Sequence, residues 1–154
     1  MKTRLDLIKN WIIKADNDLK SAHHELSFNE EAVTEAICFH CQQAVEKYLK
    51  AYLIFLDIPF KKIHEIGELI LLCETKDNEI GAMEDEADIL TDYAVNTRYP
   101  DSLFMPVFEE AQEAAELAKK IKEYVLKKMA GKIGQDPAIE VEQVDDEAHK
   151  KYPG

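Results

Sequence analysis

The chain has 154 residues, of which 46% are apolar and 32% charged, and a formal net charge of −12. This length suits one domain with a core of its own, needing neither metal nor disulfide, and only five Gly and five Pro suit a helical protein. The acidic balance excludes a standing electrostatic grip on nucleic-acid phosphates, though not a local basic site. Three irregularly spaced cysteines point to a reducing, cytoplasmic setting rather than a disulfide framework. The first residues, MKTRLDLIKNW, lack the continuous apolar core of a signal peptide. No stretch approaches the roughly 20 apolar residues of a membrane span.

Leu5, Ile8, Ile12, Ala15, Leu19, Ala22 and Leu26 recur at alternating spacings of three and four, which predicts an amphipathic first helix. Ser27, Phe28 and Asn29 break the pattern, and Asn29 is the candidate N-cap of the next helix. From Ala32 to Leu56 the sequence is apolar around most of a helical circumference. Val33, Ala36, Ile37, Ala44, Ala51, Ile54 and Phe55 fall on one face, and Val45, Leu49, Leu53 and Leu56 fall nearly opposite. Such a helix is central, with neighbours on several sides. It ends before Pro59, because proline disfavours helical geometry in the residue that precedes it.

A shorter third helix is predicted from Ile63 to Cys73, weakened by Gly67. After a turn at Thr75 to Asn78, a fourth runs to Thr97 with Ala82 or Met83, Ala87, Leu90 and Ala94 inward. Its Glu79, Glu84, Asp85, Glu86, Asp88 and Asp92 read as a solvated face. Arg98-Tyr99-Pro100-Asp101 forces a loop. A fifth helix starts near Pro106, with Val107, Ala111, Ala114, Leu117, Ala118, Ile121, Val125 and Met129 inward. Beyond Gly131 the periodicity stops. Residues 131–154 are expected to form a mobile acidic tail, with a short strand at 138–144 weakly supported. The expected fold is all-α: an up-and-down bundle of about five helices over residues 1–130.

The polar residues of the central helix carry the chemistry. His40 and Lys47 project near the middle of its first apolar face, with Gln43 and Lys50 at the edge and Glu46 further round. Polar groups so placed must find partners or line a cavity. A backbone carbonyl accounts for a core His40. For Lys47 the structural alternative is an ion pair with an acidic residue of the fourth helix, or a stem that snorkels outward. Structural and functional readings are both open at this point. Cys38-Phe39-His40-Cys41 lies inside a helix with no second pair to complete a metal site, and Cys73 stands alone, so small buried cysteines are expected and no metal or cofactor is implied. His23 and His24 point about 100 degrees apart and are expected in solvent. His64-Glu65 opens the third helix as a cap or a site residue. Arg98-Tyr99-Pro100-Asp101 offers a guanidinium fork suited to phosphate, or a turn in which Arg98 pairs with Asp101.

Phe39-His40-x-Gln42-Gln43-Ala44-x-Glu46-Lys47-x-Leu49-Lys50-Ala51, then His64-Glu65-Ile66-x-x-Leu69, then Tyr93 and Thr97-Arg98-Tyr99-Pro100-Asp101 resemble the HEPN domain family over residues 4–129. The resemblance implies a homodimeric helical bundle with a cleft between the end of helix four and the central helix. It also implies a frequent partner, a small nucleotidyltransferase, acting with the HEPN protein as a toxin and antitoxin pair. Many members of the family are metal-independent ribonucleases, with an arginine followed by a histidine after four to six residues. Arg98 matches the arginine. Leu103, Phe104 and Met105 stand where that histidine belongs, and the next histidine is His149. Imidazole moves protons near neutral pH, and these side chains do not.

The first expectation is therefore a noncatalytic, homodimeric module that binds a nucleotide or another phosphate-bearing ligand through Arg98, Tyr99, Asp101, His40, Gln43, Lys47 and Lys50, with RNA disfavoured by net charge. The alternative is a divergent ribonuclease toxin that uses Arg98 with His40 or His64. The third reading is a purely structural dimer, with Arg98, Asp101, His40 and Lys47 in a buried polar network.

Overall fold

The computed structural model describes residues 2–97, 105–132 and 151–153, with only the backbone course at 94–97. The described residues form five α-helices: α1 (Arg4–Leu26), α2 (Thr34–Phe55), α3 (Ile66–Glu74), α4 (Glu84–Thr97) and α5 (Phe108–Ala130). Single 3-10 turns at Asn29–Glu31 and Asn78–Met83 join α1 to α2 and α3 to α4. No strand occurs among the described residues, and the all-α bundle stands as expected. No described helix is long and apolar enough to cross a membrane.

The near-continuous apolar character of α2 puts it at the centre, where it packs against each of the other four helices. Fifteen of its 22 residues are buried, including Ile37, Tyr48, Leu49, Leu53 and Ile54. Helix α1 lies along it with Ile8, Ala15, Leu19 and Ala22 buried, and Ala111, Ala118, Ile121 and Val125 seal α5. Among the residues expected inward, Val107 and Val33 are about half exposed, because each sits one position before its helix begins.

The helix ends show what local sequence does. Thr3 and Asp6 close a reciprocal cap on α1: the Asp6 amide donates to Thr3 Oγ1 at 3.1 Å, and the Thr3 amide to Asp6 Oδ2 at 2.9 Å. Asn29 does not cap α2. It takes a left-handed conformation (φ 52°) in the turn, and α2 starts at Thr34 after Val33, whose amide donates to Glu25 Oε1 at 2.7 Å. Helix α2 stops at Phe55, before the proline acts. Asp57 turns left-handed (φ 55°) and donates its amide to the Ile54 carbonyl, while the Ile58 amide reaches the Leu53 carbonyl.

Helix α3 begins at Ile66, three residues later than the periodicity suggests, because α4 caps it from outside. Thr91 Oγ1 accepts from the Ile66 amide and Asp88 Oδ1 from the Gly67 amide, each at 3.0 Å. Asp88 thus has a partner that its place in the acidic run conceals. A Cβ on Gly67 would lie 2.8 Å from Asp88 Oδ1, so the close approach requires glycine. Helix α4 is shorter than expected, since Asn78–Met83 is a separate 3-10 turn, and within it Met83 rather than Ala82 faces inward.

A carboxylate fixes the end of the bundle where α2 and α5 meet the 3-10 turn at 78–83. Asp77 Oδ2 accepts from the Tyr52 hydroxyl at 2.7 Å and from the Tyr124 hydroxyl at 2.6 Å, and Lys128 lies 3.9 Å from Oδ1. Burial opposes the charge of Asp77, but the two phenols and Lys128 outweigh it and hold the carboxyl below its usual range. Of residues 131–154, Lys151 and Tyr152 touch the bundle. Tyr152 is buried against Phe60, the Lys151 carbonyl accepts from the Phe60 amide at 3.1 Å, and both side chains bond Asp57. The possible strand at 138–144 lies outside the described residues.

Candidate ligand site on the central helix

The polar residues of α2 are gathered by two carboxylates. Asp18 of α1 bonds His40 Nδ1 at 3.0 Å through one oxygen and Lys47 through the other. Lys47 therefore pairs with α1, not with the acidic face of the fourth helix. Glu46 of α2 lies 3.0 Å from His64 Nδ1 and 3.5 Å from Lys50 Nζ. Gln43 and Gln42 extend the Glu46 side: Gln43 donates to Gln42 at 2.7 Å, and Gln42 to the His64 carbonyl at 3.3 Å.

Burial assigns different tasks within the group. Lys50 is 5% exposed, with Trp11 of α1 stacked over its ammonium at 5.4 Å. It neutralises Glu46 and is withdrawn from solvent, so it does not share the open side expected for it with His40 and Lys47. His64 stands largely in water while Glu46 is almost fully covered, with side chains 63% and 6% exposed. His40 is about one-third exposed. In each pair the carboxylate accepts the Nδ1 proton, which fixes the ring and leaves Nε2 without a partner among the described residues. A carboxylate-oriented imidazole with an open Nε2 can accept a hydrogen bond, donate one when protonated, or move a proton.

Asp18 and Glu46 are the residues that the candidate list misses. Asp18 had a signal: it falls three residues after Ala15 and four before Ala22, inside the buried stripe of α1. Glu46 had one too, four residues after Gln42 and four before Lys50. Arg98, Tyr99 and Asp101 lie outside the described residues. Cys38 and Cys41 are buried, and burial pushes both thiols up to about 12, so neither is a ready nucleophile. His23 and His24 are exposed. Among the described residues no group of three or more His, Cys, Asp or Glu could hold a metal.

A family model of the HEPN domain matches residues 8–129, from the second turn of α1 to the last turn of α5. The chain belongs to the HEPN domain family. The crystal structure of an archaeal HEPN homologue superposes with a TM-score of 0.64 at 27% identity, over 84% of this chain and 99% of that one. Comparison with curated proteins gave no match. The HEPN match thus reaches all five helices and includes Asp18, Glu46 and the histidines they hold.

Proposed function

We propose that this HEPN chain is a noncatalytic, homodimeric cytoplasmic module that binds a nucleotide or another phosphate-bearing ligand and pairs with a small nucleotidyltransferase in the manner of a toxin and antitoxin. Residues 1–130 form the binding unit and 131–154 its appendage. The observation that carries this reading is that His40 and Lys47 share the largely covered Asp18 and stay partly exposed, while His64, held by the buried Glu46, stands largely in water. Each lysine here is already balanced by a carboxylate, so the charge excess for a phosphate comes from Arg98, with its two-pronged donor geometry. In this reading Tyr99 stacks on a base and Asp101 is a further ligand-binding residue beside Arg98. Gln43, Lys47 and the imidazoles supply polar contacts, while Lys50 holds Glu46 in place.

A second reading has its own support. Asp18–His40 and Glu46–His64 are carboxylate–imidazole pairs of the kind that serve general acid–base chemistry, so a metal-independent ribonuclease using Arg98 with one of these histidines stays in view. Thermal-shift measurements with nucleoside mono-, di- and triphosphates, on the wild type and Arg98→Ala, test the first. A ligand at 100 times its dissociation constant adds about 2.7 kcal/mol, so a clear shift that vanishes in the variant is expected. No shift with any nucleotide sinks it. Cleavage of RNA in EDTA, lost in Arg98→Ala and in His64→Ala, would instead establish the second.

A further inference from the structure

Helices α4 and α5 both pack on α2 yet scarcely touch each other, and an open furrow of about 310 Å³ lies between them. Leu90, Tyr93 and Leu117 form its apolar floor. Ile89 stands at the lip with 53% of its surface exposed, an apolar side chain that the fold itself does not use. The rim is acidic: Glu86, Glu113 and Glu116 line it, and its single lysine, Lys120, is already bonded to Glu86 at 3.3 Å. None of these residues belongs to the cluster built on Asp18 and Glu46.

We infer that this furrow docks a cationic amphipathic helix of another protein. A helix is the form that fits. The furrow is walled by two helices whose backbone hydrogen bonds are internal, so it offers no sheet edge to an extended segment. A helix brings its own backbone bonds satisfied, lays an apolar stripe on Leu90, Tyr93 and Leu117, and sets flanking Lys or Arg beside Glu113 and Glu116. Charge selects the partner. A second copy meeting through this face would set Glu113 and Glu116 among the same carboxylates, as a two-fold contact is self-facing. The chain's own residues 133–150 carry six acids against one lysine, the same sign as the rim. Nucleic acid is repelled for the same reason.

The probe is a synthetic peptide of about 15 residues, the length at which a helix becomes sustainable. It carries Leu on one helical face and Lys or Arg on the other. One control has the same composition scrambled, and another has Glu in place of every cation. Fluorescence anisotropy with the full chain should show binding of the amphipathic cationic peptide alone. Ile89→Ser should weaken it, and Glu113→Lys with Glu116→Lys should weaken it by about tenfold or more and shift preference toward the Glu-bearing peptide. All three substituted positions are outside the core, and circular dichroism checks that the helices persist. Hydrogen exchange should slow at residues 84–93 and 113–120 when the peptide is present. Equal binding of the scrambled peptide, indifference to the three substitutions, or failure of the wild type to bind any peptide overturns the proposal. So does a homodimer that Ile89→Ser dissolves, because the face is then filled by a second copy.

Discussion

At Asp77, two phenols and a lysine converge on one covered carboxylate. At Asp18 and Glu46, each carboxylate holds a histidine and a lysine, and the imidazole edge continues into solvent. Both clusters draw polar side chains from the most buried helix, Tyr52 in one and His40, Glu46, Lys47 and Lys50 in the other, and both satisfy the rule that a buried charge needs partners. They differ in where the hydrogen-bonding capacity runs out. The Asp77 cluster closes on itself and ties α2 to α5, which is what a structural tie requires. The other two end in ring nitrogens that no described residue uses, and spare capacity of that kind is what a ligand or a proton transfer needs.

The sharpest way to break the contrast is Asp77→Ala. It strands the buried Tyr52 hydroxyl and the partly buried Tyr124 hydroxyl and should cost about 3 kcal/mol in urea unfolding, while leaving any nucleotide response of the surviving folded fraction intact. The same carboxyl gives a pH signature. Its native pKa is depressed, so the unfolded chain binds protons more readily, and the stability it contributes is complete above the usual carboxylate range. That contribution disappears as pH falls through the native value. Asp77→Asn should therefore be less stable than the wild type at neutral pH and lose less on acidification below about pH 4; equal acid slopes would refute the assignment.

Asp18→Ala should cost less, about 1–2 kcal/mol, because Lys47 and His40 keep some access to water. Adding Lys47→Met should restore part of the loss, and a double-mutant cycle with no coupling would show that the pair is incidental. Gly67→Ala tests the tie between α3 and α4. Its methyl meets the Asp88 carboxylate that caps α3, and a loss of about 1 kcal/mol is expected, smaller in an Asp88→Ala background where the clash is gone. The smallest stability effect belongs to the most exposed member of the open cluster. His64→Ala should change unfolding by no more than about 0.5 kcal/mol, yet reduce the nucleotide-induced shift or abolish RNA cleavage. A silent His64→Ala in both assays would make Glu46–His64 as structural as Asp77.

The split between these clusters was only partly legible in the sequence. His40, Gln43 and Lys47 stood out because polar side chains interrupted an apolar helix; His40 and Lys47 meet on Asp18, while Gln43 bonds Gln42 instead. Their partners did not stand out. Asp18 lies 22 residues from His40, and Glu46, though singled out on the central helix, gave no sign of its tie to His64, 18 residues on. Asp77 and Tyr124 are 47 residues apart, and nothing local announces their bond. Asp88 was grouped with solvated acids because periodicity reports the face of a helix and not which amide of another helix comes to rest beside it.

The sequence by itself determined the helical class, the central place of residues 34–55 and the family, because each follows from patterns repeated along a single helix or from short motifs. It misplaced the starts of α2 and α3, where a left-handed residue and caps borrowed from a neighbouring helix override local propensity, and the start of α4, where a 3-10 turn intervenes. Only the tertiary structure decided which carboxylate holds which cation, that Lys50 is sealed under Trp11, and that α4 and α5 leave a furrow between them. Those facts depend on how whole helices are set against one another. Many acids in this chain are interchangeable by charge, and packing alone selects the few that meet a partner.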